Sequence, residues 1–226
     1  MDLNVLRKEL NPRQKALRES LKGSGDRGIA IPLFLAVHGI LHSARVAPES
    51  PWSYEDLLLE DLDESHFRSI PAGEEHSLVW IIWHLSRIED ITMNLLINSR
   101  DQVFVTGGWE AKIHAPFRHT GNGTGLEEIK VLSEAVEISA LRSYRHAVGR
   151  STQEVVNQLT PGDFKRKVQQ EHLDRIMAKG DISPEAEGVV DYWSRLDVAG
   201  LLLMPPTRHT MVHWNEARRV IQKLMK

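Results

Sequence analysis

The feature that most constrains this chain is the spacing of its apolar residues, which recur every three to four positions over long stretches and rarely alternate. Between residues 74 and about 98, Leu78, Ile81, Ile82, Leu85, Ile88, Ile91, Leu95 and Leu96 form one broad apolar stripe at helical spacing. Strand-type alternation is hard to find, so the expected class is all-α. Three more long helices are predicted. The first runs over 29–46, with Pro32 tolerated in its first turn and Pro48 and Pro51 past its end. Another runs over 126–159, with a break near Gly149 and a stop at Thr160-Pro161-Gly162, and the last over 191–224, interrupted by Pro205-Pro206. Short helices are expected over 52–62 and around 169–177. Residues 100–125, with Gly107-Gly108-Trp109, Pro116 and the Gly121-Asn122-Gly123-Thr124-Gly125 cluster, read as irregular. Helix-to-helix links in bundles usually take about 2–8 residues, so this connection reads as a crossover or a lid. The simplest architecture is a four-helix bundle with a long crossover between the second and third long helices. It forms one domain over residues 1–226, with a polar N-terminal segment over about 1–27 that is closed by Gly23-Ser24-Gly25.

Composition removes several function classes. The chain has 226 residues, with 28 Lys and Arg against 31 Asp and Glu, for a net charge of −3. These basic residues are scattered, so there is no electrostatic basis for binding nucleic acid. No apolar run reaches the roughly 18 residues of a membrane span. The opening Met-Asp-Leu-Asn-Val-Leu-Arg-Lys-Glu-Leu interleaves charges where a signal peptide needs an apolar stretch. A cytoplasmic protein is therefore expected, engaging neither nucleic acid nor membrane. The absence of cysteine rules out thiolate nucleophiles, Cys-ligated zinc and iron–sulfur clusters. Histidine, with 11 copies, is the residue left to carry acid–base or metal chemistry.

Residues four apart on a helix share a face, so two histidines at that spacing can aim both imidazoles at one ion. Two such pairs occur, His38/His42 and His209/His213. For this histidine content, chance alone supplies roughly 0.5 of a pair. The second pair follows Pro205-Pro206, which admits two readings: irregular backbone shaping a site, or a new helix opened by proline with two half-exposed histidines. His84 lies within Trp80-Ile81-Ile82-Trp83-His84-Leu85, on the most apolar helix, and is the leading candidate for a third ligand. A buried imidazole needs a partner, and that partner is a backbone carbonyl, a carboxylate or a metal.

Rival templates fail. No Glu-x-x-His occurs, which removes the di-iron carboxylate bundle. Thr210 follows His209, so the His-Glu-x-x-His protease motif is absent. There is no Gly-x-Ser-x-Gly. The glycine cluster at 121–125 matches neither phosphate-binding nor dinucleotide patterns and reads as a flexible loop.

The segment Trp80-Ile81-Ile82-Trp83-His84-Leu85-Ser86-Arg87-Ile88-Glu89-Asp90, with Met93-Asn94 beyond it, resembles the second-helix signature of the DinB/YfiT-like superfamily. The stretch Pro205-Pro206-Thr207-Arg208-His209-Thr210-Met211-Val212-His213-Trp214-Asn215-Glu216 resembles its last-helix signature. The resemblance covers about residues 28–220. It implies a four-helix bundle, often dimeric, holding one divalent ion (zinc, nickel or iron) on His84, His209 and His213. It further implies an enzyme resembling thiol S-transferases, or a hydrolase, that takes a small-molecule substrate and a low-molecular-weight thiol cosubstrate. The rival is a non-catalytic metal-binding sensor or dimeric interaction bundle. Three neutral imidazoles leave a metal its charge and an open position, at which the pKa of zinc-bound water falls from about 15.7 to about 7. Glu216 falls on the ligand face, three residues after His213, as a second partner or general base. His42 is a further candidate, as ligand, substrate contact or proton shuttle, with helix capping as the plainer role. Arg87 is expected to be solvated at the surface, with an anionic substrate group as the alternative. Trp80, Trp83 and Trp214 are expected to fill core or wall the pocket.

Overall fold

The structure, a computed structural model, describes residues 3–23 and 26–226; Met1 and Asp2, and Ser24 and Gly25 of the expected closing turn, lie outside the described residues. Among the described residues every regular element is helical, and the single strand-like feature is an isolated bridge between Lys167 and Asp197. The polar N-terminal segment is helix α1 (Leu3–Lys22), whose Leu10, Leu17 and Leu21 recur on one face and are buried. It packs on α2 (Arg27–Leu41). Asp26 caps α2 by accepting from the Gly28 N–H at 2.8 Å, so this helix starts earlier than expected and carries Pro32 inside it. It ends at Leu41 rather than near 46, because His42 takes an extended backbone.

Two short helices follow, α3 (Tyr54–Leu59), capped by Ser53, and α4 (Glu64–Arg68), capped by Asp63. Helix α5 (Leu78–Asp90) begins where Ser77 accepts from the Trp80 N–H at 3.0 Å, and every one of its residues is buried. It continues as a π-helical turn, Ile91–Ile97. The connection read as irregular contains α6 (Val103–Thr106) and α7 (Trp109–Ile113). Such short helices have little propensity of their own. Here α6 is capped from across the fold, by the Asp90 carboxylate accepting from the N–H groups of Val103 and Phe104, both at 2.8 Å.

The third long stretch does break, though not near Gly149. Helix α8 (Leu126–Ala135) stops ahead of Val136-Glu137, and α9 (Ile138–Gln158) runs through Gly149. Glu137 makes the break: its carboxylate caps the Ala140 N–H at 2.7 Å, and its own N–H donates to the Ile113 carbonyl at 2.9 Å. Gly149 serves close packing instead, since a Cβ there would lie 2.8 Å from Nδ1 of His42.

Helices α10 (Gln170–Ala178), α11 (Glu187–Ser194) and α12 (Val198–Leu203) lead to the last long helix, α13 (Thr210–Leu224). Between α12 and α13, Pro205-Pro206 neither kinks the chain away nor opens a fresh helix. Lacking N–H groups, the two prolines widen the spiral into a π-helical turn, Met204–His209. The Thr207 hydroxyl donates to the Leu202 carbonyl and the Thr210 hydroxyl to the Pro205 carbonyl, at 3.0 and 3.1 Å, supplying partners the prolines cannot. Helix α5 sits centrally, packed against α9, α13 and the second π turn.

Arg87 is fully buried rather than solvated. Its Nη2 donates to Asp181 at 3.0 Å, its Nη1 to the Tyr144 hydroxyl at 3.1 Å and its Nε to the Arg118 carbonyl at 2.8 Å. Asp181 also accepts from Gln102 at 2.7 Å and from Arg118. Breaking a buried ion pair on one side costs about 3–5 kcal/mol. Asp181→Ala is expected to destabilise the chain by about 3 kcal/mol in urea denaturation, more than Asp181→Asn, which keeps an acceptor.

Candidate metal centre

His84 is 1% exposed, while His209 and His213 on the other side of the cluster are half-buried. One ligand atom from each of these three residues lies within 4.8 Å of the others. Helix α5 presents His84 toward the end of the second π turn, where His209 sits, and α13 presents His213 one turn later. The Nε2 atoms of His84 and His209 approach to 3.1 Å, and the ring centroids of His84 and His213 lie 4.8 Å apart.

Which nitrogen of each ring carries the proton follows from its other partner. Nδ1 of His84 lies 2.7 Å from the Thr120 carbonyl, which can only accept, so this nitrogen donates and Nε2 is left with a bare lone pair. Nδ1 of His213 lies 2.7 Å from Glu216, whose other oxygen is 2.6 Å from Nδ1 of His76. Burial alone would raise the Glu216 carboxyl, but the hydrogen bonds from His213 and His76 outweigh it and hold the group down at about 2. Glu216 is thus an anion accepting from Nδ1 of both rings, which turns Nε2 of His213 away from it. His209 is held down to about 3, first by burial and then by the neighbouring His213 and Arg145. Burial, with His209 and His213 beside it, pushes His84 well below its usual range. With the Nε2 lone pair of His84 facing Nε2 of His209, and one nitrogen of each ring within 4.8 Å of the others, the three imidazoles form a donor set that fits a divalent cation.

The aromatic surroundings take two forms. Trp80 stacks between His76 and His84, at centroid distances of 3.6 and 4.6 Å, and so walls the site. Trp83 and Trp214 are core residues whose indole N–H groups donate to the carbonyls of His119 and Leu41. The glycine-rich loop read as flexible is pinned to α5: Trp80 donates to the Thr124 hydroxyl at 3.0 Å, beside the His84–Thr120 bond. His42 is placed elsewhere. It faces Glu89, with Nε2 at 2.9 Å, next to His38, whose Nε2 is 2.8 Å from the other carboxylate oxygen.

Two contributors escaped the sequence reading. His76 lies four residues before Trp80 and eight before His84, a spacing on one helical face that could have flagged it. Thr120 acts through its backbone carbonyl, which leaves no trace in residue type.

Fold and cluster together define a class: a bundle that is all-helical among the described residues, with a partly buried histidine group that could hold a metal ion. Within that class the family is specific. A model of the DinB superfamily matches residues 52–217, and the chain belongs to that superfamily. No curated protein matches it.

Partners that orient ligating histidines are worth about 10–100-fold in metal affinity. Glu216→Ala is expected to weaken Zn²⁺ binding by about that factor in competition with a chromophoric chelator, with the helical circular-dichroism signal retained.

Proposed function

We propose that His84, His209 and His213 hold one divalent ion, of zinc, nickel or iron, and that the chain is a metal-dependent enzyme acting on a small molecule. The observation that carries this reading is the pair of Nε2 atoms facing each other at 3.1 Å, with the His84 tautomer locked by Thr120. A bound ion supplies Lewis acidity, which makes a thiol or a water nucleophilic near neutral pH.

The chain's own residues do the rest. Thr120 and Glu216 orient two of the imidazoles. Trp80, lying across His76 and His84, covers one side of the cluster and keeps water from it. Glu216 positions His213 and His76, and the two hydrogen bonds that keep it ionised make it a weak base, so its part is to orient those rings rather than to take up a proton. His42 lies against Glu89, apart from the triad, where it would hold that carboxylate rather than touch substrate.

The reaction class favoured is transfer of a low-molecular-weight thiol to an electrophilic substrate, with hydrolysis as the second possibility. The absence of cysteine accords with a thiol arriving as cosubstrate. A homodimer of single-domain chains in the cytoplasm completes this reading, and it rests on the family resemblance and on composition.

Metal analysis of untagged protein is expected to find a tightly held divalent ion that His84→Ala releases. Wild-type protein that neither carries nor binds such an ion would sink the reading. Metal retained without turnover across a panel of thiols and electrophiles would favour the rival, a non-catalytic metal-binding bundle.

A further inference from the structure

A second polar cluster lies deeper in the bundle. His38 on α2, His42 at its C-terminal cap and Glu89 on α5 are all fully buried, and one ligand atom from each lies within 4.8 Å of the others. The imidazole rings lean together at 4.1 Å between centroids, and both Nε2 atoms point at Glu89, one at each carboxylate oxygen. The Thr152 hydroxyl of α9 donates to the same carboxylate at 2.7 Å.

Charge around this group does not balance. Glu55 and Glu89 are both fully buried, and the guanidinium nearest them is Arg145. Arg145 is committed to Glu55, with Nε at 2.7 Å, and reaches only to 4.0 Å from Glu89. Two carboxylates against one guanidinium leave a negative charge in a dry region, where uncompensated charge is costly. A cation is required, either a proton on one imidazole or a metal ion.

The donor arrangement favours the ion. We propose that His38, His42 and Glu89 form a second, enclosed site for a divalent transition-metal ion, distinct from the histidine triad, that ties α2 to α5. Two imidazole nitrogens and a carboxylate suit zinc or iron better than magnesium or calcium, which prefer oxygen ligands. In the empty site each Nε2 faces an acceptor-only oxygen of Glu89 and carries the ring proton, while Nδ1 of His38 and Nδ1 of His42 have no partner among the described residues and are open to receive it. On binding, each ring carries its proton on Nδ1 and offers the Nε2 lone pair to the ion, while Glu89 exchanges two N–H donors for the metal, with no net proton released. All three ligands being closed to solvent, the role is structural. Both histidines precede the stretch matched by the superfamily model, residues 52–217, and Glu89 lies within it.

The test uses full-length untagged protein, stripped with chelator under mild denaturant and refolded with Zn²⁺, with bound metal measured after gel filtration. The expected result is two ions per chain for wild type, and one retained by the double variant His84→Ala/His209→Ala, which lacks the triad. Glu89→Gln, near-isosteric, is expected to lose one ion relative to wild type. Cobalt refolded into the double variant should show a visible absorption band that the triple variant with Glu89→Gln lacks. If the double variant holds no ion and shows no cobalt band, the proposal is overturned and the cluster carries a proton instead. That outcome depends on a variant with the second cluster intact, so it holds even if Glu89→Gln fails to fold. An ion kept by the double variant, in protein whose triad proves metal-free in wild type, would support this site while removing the triad reading.

Discussion

Everything in this fold answers to one constraint: helix α5 is buried on all sides yet carries polar residues that must each find a partner. Serine, histidine, arginine and carboxylate groups inside a dry core cost free energy unless hydrogen-bonded or paired. Ser86 donates to the Ile82 carbonyl of its own helix, and the others reach to different parts of the chain. Ser77, at its cap, meets Ser133 of α8; His84 meets the crossover and His209; Arg87 meets Asp181; Glu89 meets α2 and α9; Asp90 caps α6. The apolar stripe drives α5 to the centre, and its polar residues then decide which neighbours sit where.

That division explains what could be read from the residues. The all-helical class and the stretches around α5, α3 and α10 follow from apolar period and capping residues such as Ser53 and Ser77, which act over three or four positions. The burial of His84 follows from its neighbours. Long-range partners leave no local trace. Arg87 looks like a surface residue until Asp181 comes to it from ninety-four positions away. The break in the third long stretch sits at Glu137, which caps Ala140, and not at Gly149, whose missing side chain makes room for His42. The first helix of the connection over 100–125, α6, forms where Asp90 supplies a cap that its own sequence lacks.

Two widened turns accompany the polar groups. One follows directly on Glu89 and Asp90, and the other ends at His209. A π turn inserts a residue into the helical count and rotates every later side chain relative to the earlier ones. In the second case the prolines force the change, and two threonine hydroxyls make it tolerable. The expectation that irregular backbone marks the His209/His213 pair thus finds its physical form, an expanded spiral rather than a sharp kink.

The bond from His84 to the Thr120 carbonyl carries a thermodynamic consequence. Thr120 is itself held in place by its N–H, which donates to the Asp181 carbonyl. Drawing that loop away would free the imidazole to exchange tautomers, and the inward nitrogen would lose its defined basicity. Were the triad to take up an ion, its occupancy and order in the crossover would be conjugate: whatever one gains from the other is returned in equal measure, as linkage between two equilibria demands.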